Sequence, residues 1–309
     1  MNKIDRSKIR SYSLKGRPSK VRINDFSRPH AKGAGFQDFF SSLPNILAAQ
    51  HLKDVAAAIV QARRDDRPVM LGMGAHAIKV GLNPVIIDLM KRGIVTSLSL
   101  NGAGIIHDFE LAFVGQTSED VDKEILTGAF GMAEETGAML NGAIKAAGDG
   151  EGIGAAVGRM IAEGDFPYKD HSLLAAGHRL NVPITVHVAI GTDIIHMHPS
   201  FDGQATGAAA ARDFETFCAL VSGLEGGVYI NLGSAVLLPE IFLKAVTLCR
   251  NVGHPLAHFT TVNMDFVQHY RPNTNVVRRP TQGGGRGFSL TGHHEIMLPL
   301  LAAAVIEQF

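Results

Sequence analysis

The sequence predicts an α/β protein in which an open, mostly parallel Rossmann-like sheet carries helices on both faces. Amphipathic stretches of helical length alternate with short runs of Val, Ile, Leu and Met along its 309 residues. These short runs end in glycine or a polar cluster, as the strands of βα units do. The alternation continues without an internal repeat or a low-complexity linker. We therefore expect a single NAD-binding-like α/β domain over residues 35–309.

The hydrophobic periodicity predicts eight helices and five strands. The expected helices are Leu43–Arg63, Val80–Arg92, Glu119–Ala146, Gly152–Glu163, Ser172–Leu180, Ala208–Ser222, Leu238–Asn251 and Glu295–Gln308. The expected strands are Pro68–Gly72, Ile94–Leu98, Ile184–Ala189, Val228–Leu232 and Ala257–Val262. The longest stretch outside these elements, Pro272–Thr291, exceeds an ordinary connection, so we expect a functional lid or a disordered loop there.

The first 34 residues predict an N-terminal arm. They carry many basic charges and little apolar periodicity. Arms of this kind often pack on a neighbouring subunit, so we expect a homo-oligomer.

Composition favours small-molecule chemistry over other classes of function. The chain has 29 Lys and Arg against 29 Asp and Glu, so it has no excess positive charge for nucleic acid or an anionic membrane. Its only cysteines, Cys218 and Cys249, do not form a CxxC motif, and the N-terminus lacks a secretory apolar region, which predicts a cytoplasmic protein. No apolar run is long enough to span a membrane.

Polar residues follow each predicted strand, where ligands bind in open parallel sheets. The five segments are "GMGAHAIK" (72–79), "NGAGIIHDFE" (101–110), "GTDIIHMHPSFDG" (191–203), "GSAVLLPE" (233–240) and "NMDFVQH" (263–269). We interpret 100–110 as a turn in which glycines make room for a cofactor and His107 and Asp108 point toward a substrate.

The segment after the first strand has two interpretations. Gly72, Gly74 and Ala77 fit the G-x-G-x-x-G/A spacing of dinucleotide-binding turns. The acidic residue expected about 20 positions further on is absent, since Ser99 and Asn101 stand at the end of the second strand. The segment fits dinucleotide binding and a plain tight turn equally.

Several histidines raise the alternative of a metal-dependent hydrolase or lyase. His196 and His198 would share one face of an extended segment, and such a site could also include His107, His293 or Asp193. The sequence contains no HExxH motif and no cysteine at ligand spacing. We therefore expect ordinary core or surface histidines and no metal.

Segments covering most of the chain after residue 34 resemble deoxyhypusine synthase, in the same order. Residues 67–110, "RPVMLGMGAHAIKVGLNPVIIDLMKRGIVTSLSLNGAGIIHDFE", resemble the early NAD-binding region of that family, and "GAGFQDF" (33–39) resembles its Gly-Phe-Gln segment. Three later segments also match: "NVPITVHVAIGTDIIHMH" (181–198), "NLGSAVLLPEIFLKAVTLCRNVG" (231–253) and "LTGHHEIMLPLLAAAV" (290–305).

The resemblance implies the cofactor NAD and a set of residues that contact it. Those residues are Gly74, Ala75 and His76 after the first strand, Gly102, Ala103 and Gly104 after the second, and Gly292 and His293 in the closing loop. It also implies a homotetramer with active sites at subunit interfaces.

The same resemblance implies an altered substrate site. Asp193 matches a carboxylate that binds the polyamine substrate, and His107 stands where the family has a substrate-binding glutamate. Glu240 replaces a histidine, and His293 replaces an aspartate. Because acids and imidazoles have exchanged places at three positions, we expect catalytic roles for His107, Asp193 and Glu240 on a different ligand.

The lysine that forms an imine in deoxyhypusine synthase is missing. Aligned through "RPNTNVV", Arg278 and Pro280 stand at the Trp and Lys of the family's Trp-Gly-Lys segment, and no lysine follows Lys244. Proline cannot form that imine, so we do not expect deoxyhypusine synthesis. Lys79 is the candidate replacement nucleophile, and an ordinary exposed lysine at a helix start is the alternative.

These observations leave three hypotheses. The first is an NAD-dependent enzyme that oxidises an amine or another small cationic or zwitterionic substrate, with or without group transfer, using His107 as general base. The second is the metal-dependent hydrolase or lyase. The third is a non-catalytic, ligand-binding descendant of the fold.

Overall fold

A computed structural model describes residues 3–309 and contains one six-stranded parallel sheet. The strands are β1 (Val69–Met73), β2 (Ser97–Asn101), β3 (Ile184–His187), β4 (Val228–Leu232), β5 (Thr260–Asp265) and β6 (Arg286–Thr291). Their order across the sheet is β3-β2-β1-β4-β5-β6. The predicted α/β class with a parallel sheet is therefore confirmed.

The carboxyl ends of the strands meet at one edge of the sheet. Met73 pairs with Leu100 on one side and Leu232 on the other, and Leu232 pairs with Met264. The order of strands reverses between β1 and β4, and such a switch point opens a crevice beyond the strand ends. This register brings the segments that follow the strands close together.

Helices surround the sheet. They are α1 (Phe36–Ser42), α2 (Leu47–Arg64), α3 (His76–Lys79), α4 (Asn83–Lys91), α5 (Gly102–Val114), α6 (Val121–Thr127), α7 (Glu134–Lys145), α8 (Ile153–Glu163), α9 (Leu173–Leu180), α10 (Gly203–Ser222), α11 (Leu237–Asn251), α12 (Tyr270–Pro272) and α13 (His294–Ile306). Short 3-10 helices occur at Arg6–Lys8, Leu14–Gly16, Ile23–Asp25, Lys169–His171 and Ile194–His196, and a π-helix spans Asn273–Arg278.

Helices bury both faces of the sheet. Alternate residues of each strand point to opposite faces and so contribute to two separate layers of the core. On one face, Leu71 and Ile230 belong to the core shared with α2 and α13. On the other face, Met70 and Tyr229 pack with Phe217 of α10 and with α11. Tyr229 stacks on Phe242 of α11.

Two sequence predictions need correction, and one helix was not predicted. The expected helix Glu119–Ala146 is two helices, α6 and α7, because the chain adopts positive φ at Gly128 and Gly131 between them. The stretch 100–110 is not a turn, since α5 begins at Gly102. Helix α1 also lies in a region with no predicted element.

The expected loop Pro272–Thr291 is largely regular structure. It contains the π-helix and the edge strand β6. Along β6 only Phe288 and Leu290 are buried, so the strand has no continuous apolar run that would predict it. The prediction of a lid or a disordered loop is wrong here.

The described part of the predicted arm, residues 3–34, has no buried residue. Backbone hydrogen bonds from Arg28 to Ser42 and from Asn45 to Asp25 connect it to α1 and the following turn. Its large exposed apolar side chains include Ile4, Ile9 and Phe26. Packing of the arm on a second subunit stays a prediction. Across 3–309, no helix combines the length and the hydropathy that crossing a bilayer requires.

Helix α8 approaches β3 closely at Gly154, and this contact is testable. A Cβ atom at Gly154 would lie 2.0 Å from the Ile184 carbonyl oxygen, whereas nothing lies within 4 Å of one at Gly142 in α7. We expect Gly154→Ala to lower the free energy of unfolding by about 1–3 kcal/mol. The matched Gly142→Ala should raise it by up to about 1 kcal/mol, because alanine favours the helix. Urea unfolding measures both, and equal effects would contradict the close packing.

Candidate active site

A cavity of about 230 Å³ lies at the carboxyl edge of the sheet, beside α5. It is lined by residues from α3, α5, the start of α6 and the connections around 118–119, 130 and 192–194: Lys79, Ala103, Ile106, His107, Glu110, Ser118, Glu119, Val121, Phe130, Thr192, Asp193 and Ile194. Of the four residues predicted to be catalytic, Lys79, His107 and Asp193 therefore meet in one cavity. The segments that carry them follow β1, β2 and β3, which are neighbours in the sheet.

Helix α5 presents one face to the cavity. Asn101 caps its start, because its Oδ1 accepts a hydrogen bond from the Gly104 amide at 3.0 Å, and Gly115 ends it in the left-handed conformation. Residues three and four apart share a helix face, which puts His107 and Glu110 side by side. The glycines that looked like a turn are thus the first turn of a helix.

Asp108 points away from the cavity, so the expectation that it faces a substrate is wrong. Its carboxylate is fully buried and accepts hydrogen bonds from Asn83 Nδ2 (3.0 Å), Ser172 Oγ (2.6 Å) and the backbone amides of Leu173 and Leu174. It thereby connects α5 to α4 and to the start of α9. Its role is structural.

Asp193 lies over the first turn of α5. A Cβ atom at Gly102 would lie 2.1 Å from its Oδ2, so only glycine leaves room for this carboxylate. The pKa of the Asp193 carboxyl is raised by burial, while His196, Thr192 and the Ala103 amide oppose that rise. Because the positive end of a helix favours an anion, Asp193 fills a place that a bound anion would otherwise take.

His107 belongs to a chain of hydrogen bonds along the cavity wall. Its Nδ1 lies 2.7 Å from Thr117 Oγ1, and that hydroxyl donates to Glu110 Oε2 at 2.5 Å. Thr136 donates to the other carboxylate oxygen of Glu110. Burial is the main reason why the pKa of His107 lies below its ordinary value. The positive charge of Lys79 also lowers this pKa, whereas the negative charge of Glu110 raises it.

Lys79 ends α3 and is exposed at the cavity mouth. Its ammonium makes neither an ion pair nor a hydrogen bond with any residue from 3 to 309. Pro280, where the resembling family has its lysine, is buried, and its carbonyl accepts a hydrogen bond from Arg250. The cavity therefore has one free primary amine, and it comes from α3.

The residues predicted to bind the cofactor fall into two places. Gly102, Ala103 and Gly104 form the first turn of α5, next to Asp193. Gly74 and Ala75 follow β1, and a Cβ at Gly74 would lie 2.8 Å from the Gly233 carbonyl oxygen, so the segments after β1 and β4 touch.

An aromatic cluster lies beside that contact. The ring of Phe266 stacks on His293 with a centroid distance of 5.8 Å, and His76 packs against both Phe266 and His294. His293 is exposed, whereas His294 is buried, with its Nε2 3.5 Å from Asp265 Oδ1. Gly292, just before His293, is packed against Met297. The sequence assigned cofactor roles to His76 and His293 but none to Phe266 or His294.

Glu240 lies elsewhere. It is in the first turn of α11, where it pairs with Lys244 and Arg271 and accepts a hydrogen bond from Asn275 Nδ2 at 2.8 Å. It does not line the cavity that holds His107. The structure therefore does not join it to the other residues predicted to be catalytic.

The candidate metal ligands do not assemble. His196 lies in a 3-10 helix rather than an extended segment, and its Nδ1 accepts hydrogen bonds from the Gly191 and Asp193 amides. His198 Nδ1 contacts Ser200 Oγ. Within residues 3–309 no three or more His, Cys, Asp or Glu side chains are placed to share an ion.

Sequence reasoning missed most of the loop that covers α5. Ser118 and Glu119 line the cavity and Thr117 bridges His107 to Glu110, yet no motif marks them. Ser118 has φ +71, an uncommon conformation for a residue other than glycine and one that occurs at functional sites. Only the folded chain brings this loop back onto α5.

Comparison with known proteins identifies the fold. No protein-family model matches the chain. No curated protein matches it. Solved structures do: unliganded AgrE has a TM-score of 0.56 at 14% identity, over 84% of this chain and 32% of AgrE.

Two further structures agree with that match. A LOR/SDH protein from Methanococcus maripaludis S2 has a TM-score of 0.53 at 14% identity, over 85% of this chain and 71% of its own. A protein from Entamoeba histolytica described as a deoxyhypusine synthase has a TM-score of 0.51 at 11% identity, over 91% and 96%. The chain has the deoxyhypusine-synthase-like fold and spans about a third of the length of AgrE.

The charges around His107 predict how its pKa responds to substitution. Glu110 raises this pKa and Lys79 lowers it. We expect Glu110→Gln to lower it further and Lys79→Met to raise it. Nuclear magnetic resonance titration of the ring protons, assigned with His107→Gln, measures both. The exposed His254, before β5, serves as the internal reference. A higher pKa of His107 in Glu110→Gln, or a lower one in Lys79→Met, would contradict the arrangement of charges.

Proposed function

We propose that this protein is an NAD-dependent enzyme that acts on a small amine or another cationic or zwitterionic substrate. One observation carries the proposal: an unpaired ammonium, an imidazole and a buried carboxyl group meet in a cavity of small-molecule size. Pockets with a few convergent polar groups and perturbed pKa values are typical of active sites.

The charges of the cavity fit a substrate that has an amino group. Asp193 and Glu119 offer negative charge to an ammonium, and Lys79 offers positive charge to a carboxylate. Ile106, Val121 and Phe130 supply apolar surface for the carbon chain between them. A second AgrE structure, the ternary complex with ornithine and NAD+, shares the fold at 16% identity over its own alignment, and this supports an amino-acid-like substrate.

The crevice at the β1–β4 switch point is our proposed place for the cofactor. Gly74, Ala75 and His76 would follow its path from one side, and Gly292 and His293 from the other. The exposed rings of Phe266 and His293 offer a stacking surface for a planar group. NAD+, when bound, supplies a hydride acceptor.

His107 would act as the general base in this proposal. A substrate ammonium must lose a proton before its amine can be oxidised, and the lowered pKa of His107 favours the neutral imidazole that accepts this proton. Asp193 would hold the amino group while the proton moves. Lys79 would bind a substrate carboxylate or serve as a replacement nucleophile. Because Pro280 cannot form an imine, deoxyhypusine synthesis is not part of the proposal.

Cofactor binding is the first test. Calorimetric titration of nucleotide-stripped protein with NAD+ should give measurable heat. His293→Ala should weaken binding by about fivefold, because an aromatic contact contributes about 1 kcal/mol. His254→Ala is the control, because His254 is equally a surface histidine but precedes β5. An absence of heat at millimolar NAD+ would refute the NAD-dependent activity.

Substrate binding is the second test. A panel of diamines and basic amino acids, including L-ornithine, is assayed for NADH formation. Asp193→Asn should raise KM by at least about tenfold, because a hydrogen bond to a charged group contributes about 1.5–3 kcal/mol. Asp170→Asn, at an exposed carboxylate outside the cavity, should leave KM unchanged.

The third hypothesis has its own outcome in these tests. A protein that binds NAD+ and an amine but forms no NADH is a ligand-binding descendant of the fold. This candidate is favoured by Pro280, which stands where the resembling family has its imine-forming lysine.

A further inference from the structure

The hydrogen bonds around His107 constrain which ring nitrogen carries its proton. A threonine hydroxyl has one proton to donate, and a carboxylate only accepts. The 2.5 Å contact between Thr117 Oγ1 and Glu110 Oε2 uses that proton. The oxygen of Thr117 then has only lone pairs to offer to His107 Nδ1, 2.7 Å away.

We propose that Thr117 and Glu110 are positioning residues that hold His107 as the Nδ1–H tautomer and leave Nε2 as the proton acceptor in the cavity. His107 Nε2 makes no hydrogen bond with residues 3–309. It is also not one of the polar atoms in these residues that are both shut off from solvent and without a partner, so it is in contact with solvent. Its lone pair is therefore accessible from the cavity that His107 lines. The tautomer of a histidine is set by the hydrogen bond that its other nitrogen makes.

The surroundings of Glu110 support this assignment. Thr136, which is buried in α7, donates to Glu110 Oε1 at 3.2 Å, so each carboxylate oxygen accepts from a different hydroxyl. Two donors fix the carboxylate in place and match its ionised form. When Nε2 takes a proton, the new positive charge lies 3.9 Å from Glu110 Oε2, measured from Nδ1, and the carboxylate stabilises it.

The loop that brings Thr117 onto α5 is held independently of the hydrogen bond to His107. The Gly131 amide donates to Glu119 Oε1 at 3.0 Å, and the chain turns through the positive φ of Ser118. Thr117 itself does not line the cavity, so it acts through His107 rather than on a ligand. This distinguishes it from Lys79 and Asp193.

The chemical consequence rests on the proposed function, but the tautomer does not. In amine oxidation, Nε2 would accept one proton from the substrate ammonium. The N–H bond breaks, a new N–H bond forms on the imidazole, and the nitrogen keeps its electron pair. An Nε2–H tautomer would have no lone pair in the cavity and could not take this step.

The direct test uses protein labelled with 15N-histidine, without cofactor or substrate, above the titration range of His107. Long-range 1H–15N spectra should show a protonated Nδ1 and an unprotonated Nε2 in the native protein. In Thr117→Val the two signals should shift toward those of exchanging tautomers, and Thr117→Ser should restore them. Glu110→Gln is a second variant that should also loosen the preference.

A protonated Nε2 in the native protein would overturn the proposal, and this result does not depend on whether any variant folds. An unchanged tautomer in Thr117→Val would also overturn it. Once an oxidised amine is found, Thr117→Val should lower kcat by about tenfold and leave KM unchanged, since a general base contributes about 100-fold or more. If Nδ1 carries the proton but the protein does not bind NAD+, the proposed function is refuted and the tautomer assignment stands.

Discussion

The buried carboxylate of Asp108 is the interaction on which the candidate site depends. It accepts four hydrogen bonds from α4 and from the start of α9, and it is completely removed from solvent. A buried carboxyl group with all its partners in place resists rotation of its helix, because any turn would break these hydrogen bonds. His107, one residue earlier, lies about 100° around α5 and lines the cavity. The anchor that fixes α5 in the core therefore also fixes the direction of the imidazole.

The first turn of α5 bears on the cationic or zwitterionic substrate that we propose. Helix N-termini ordinarily bind anions, but the first turn of α5 is already covered by Asp193, which fits only because residue 102 is glycine. The partial positive charge at the start of this helix thus interacts with a carboxyl group of the protein itself. What remains toward the cavity is carboxylate surface from Asp193 and Glu119, together with the free ammonium of Lys79. A glycine that resembles part of a cofactor turn contributes in this way to the substrate side.

The sequence predicted the strands better than the site because each depends on a different kind of information. Strands β1 to β5 are buried except at Asn101 of β2, and apolar residues in or just before them stand out in the sequence, whereas the half-exposed β6 has only Phe288 and Leu290. Helix α5 was hidden because its first turn holds two glycines, which usually punctuate loops. Thr117 could not have been found, since its role arises from a loop that folds back ten residues after His107. Glu240 is an error of the opposite kind. Its place in the alignment predicted a catalytic role, but in the structure its carboxylate pairs with Lys244 and Arg271.

The order of the strands accounts for which predicted residues meet. Lys79, His107 and Asp193 follow β1, β2 and β3, which are adjacent on one side of the switch point. Glu240 follows β4, on the other side, where the π-helix supplies its partner Asn275. Helix α3 has His76 at one end, packed against Phe266 and His294, and Lys79 at the other end, in the wall of the His107 cavity. One short helix thus contributes a residue both to the proposed cofactor region and to the proposed substrate cavity.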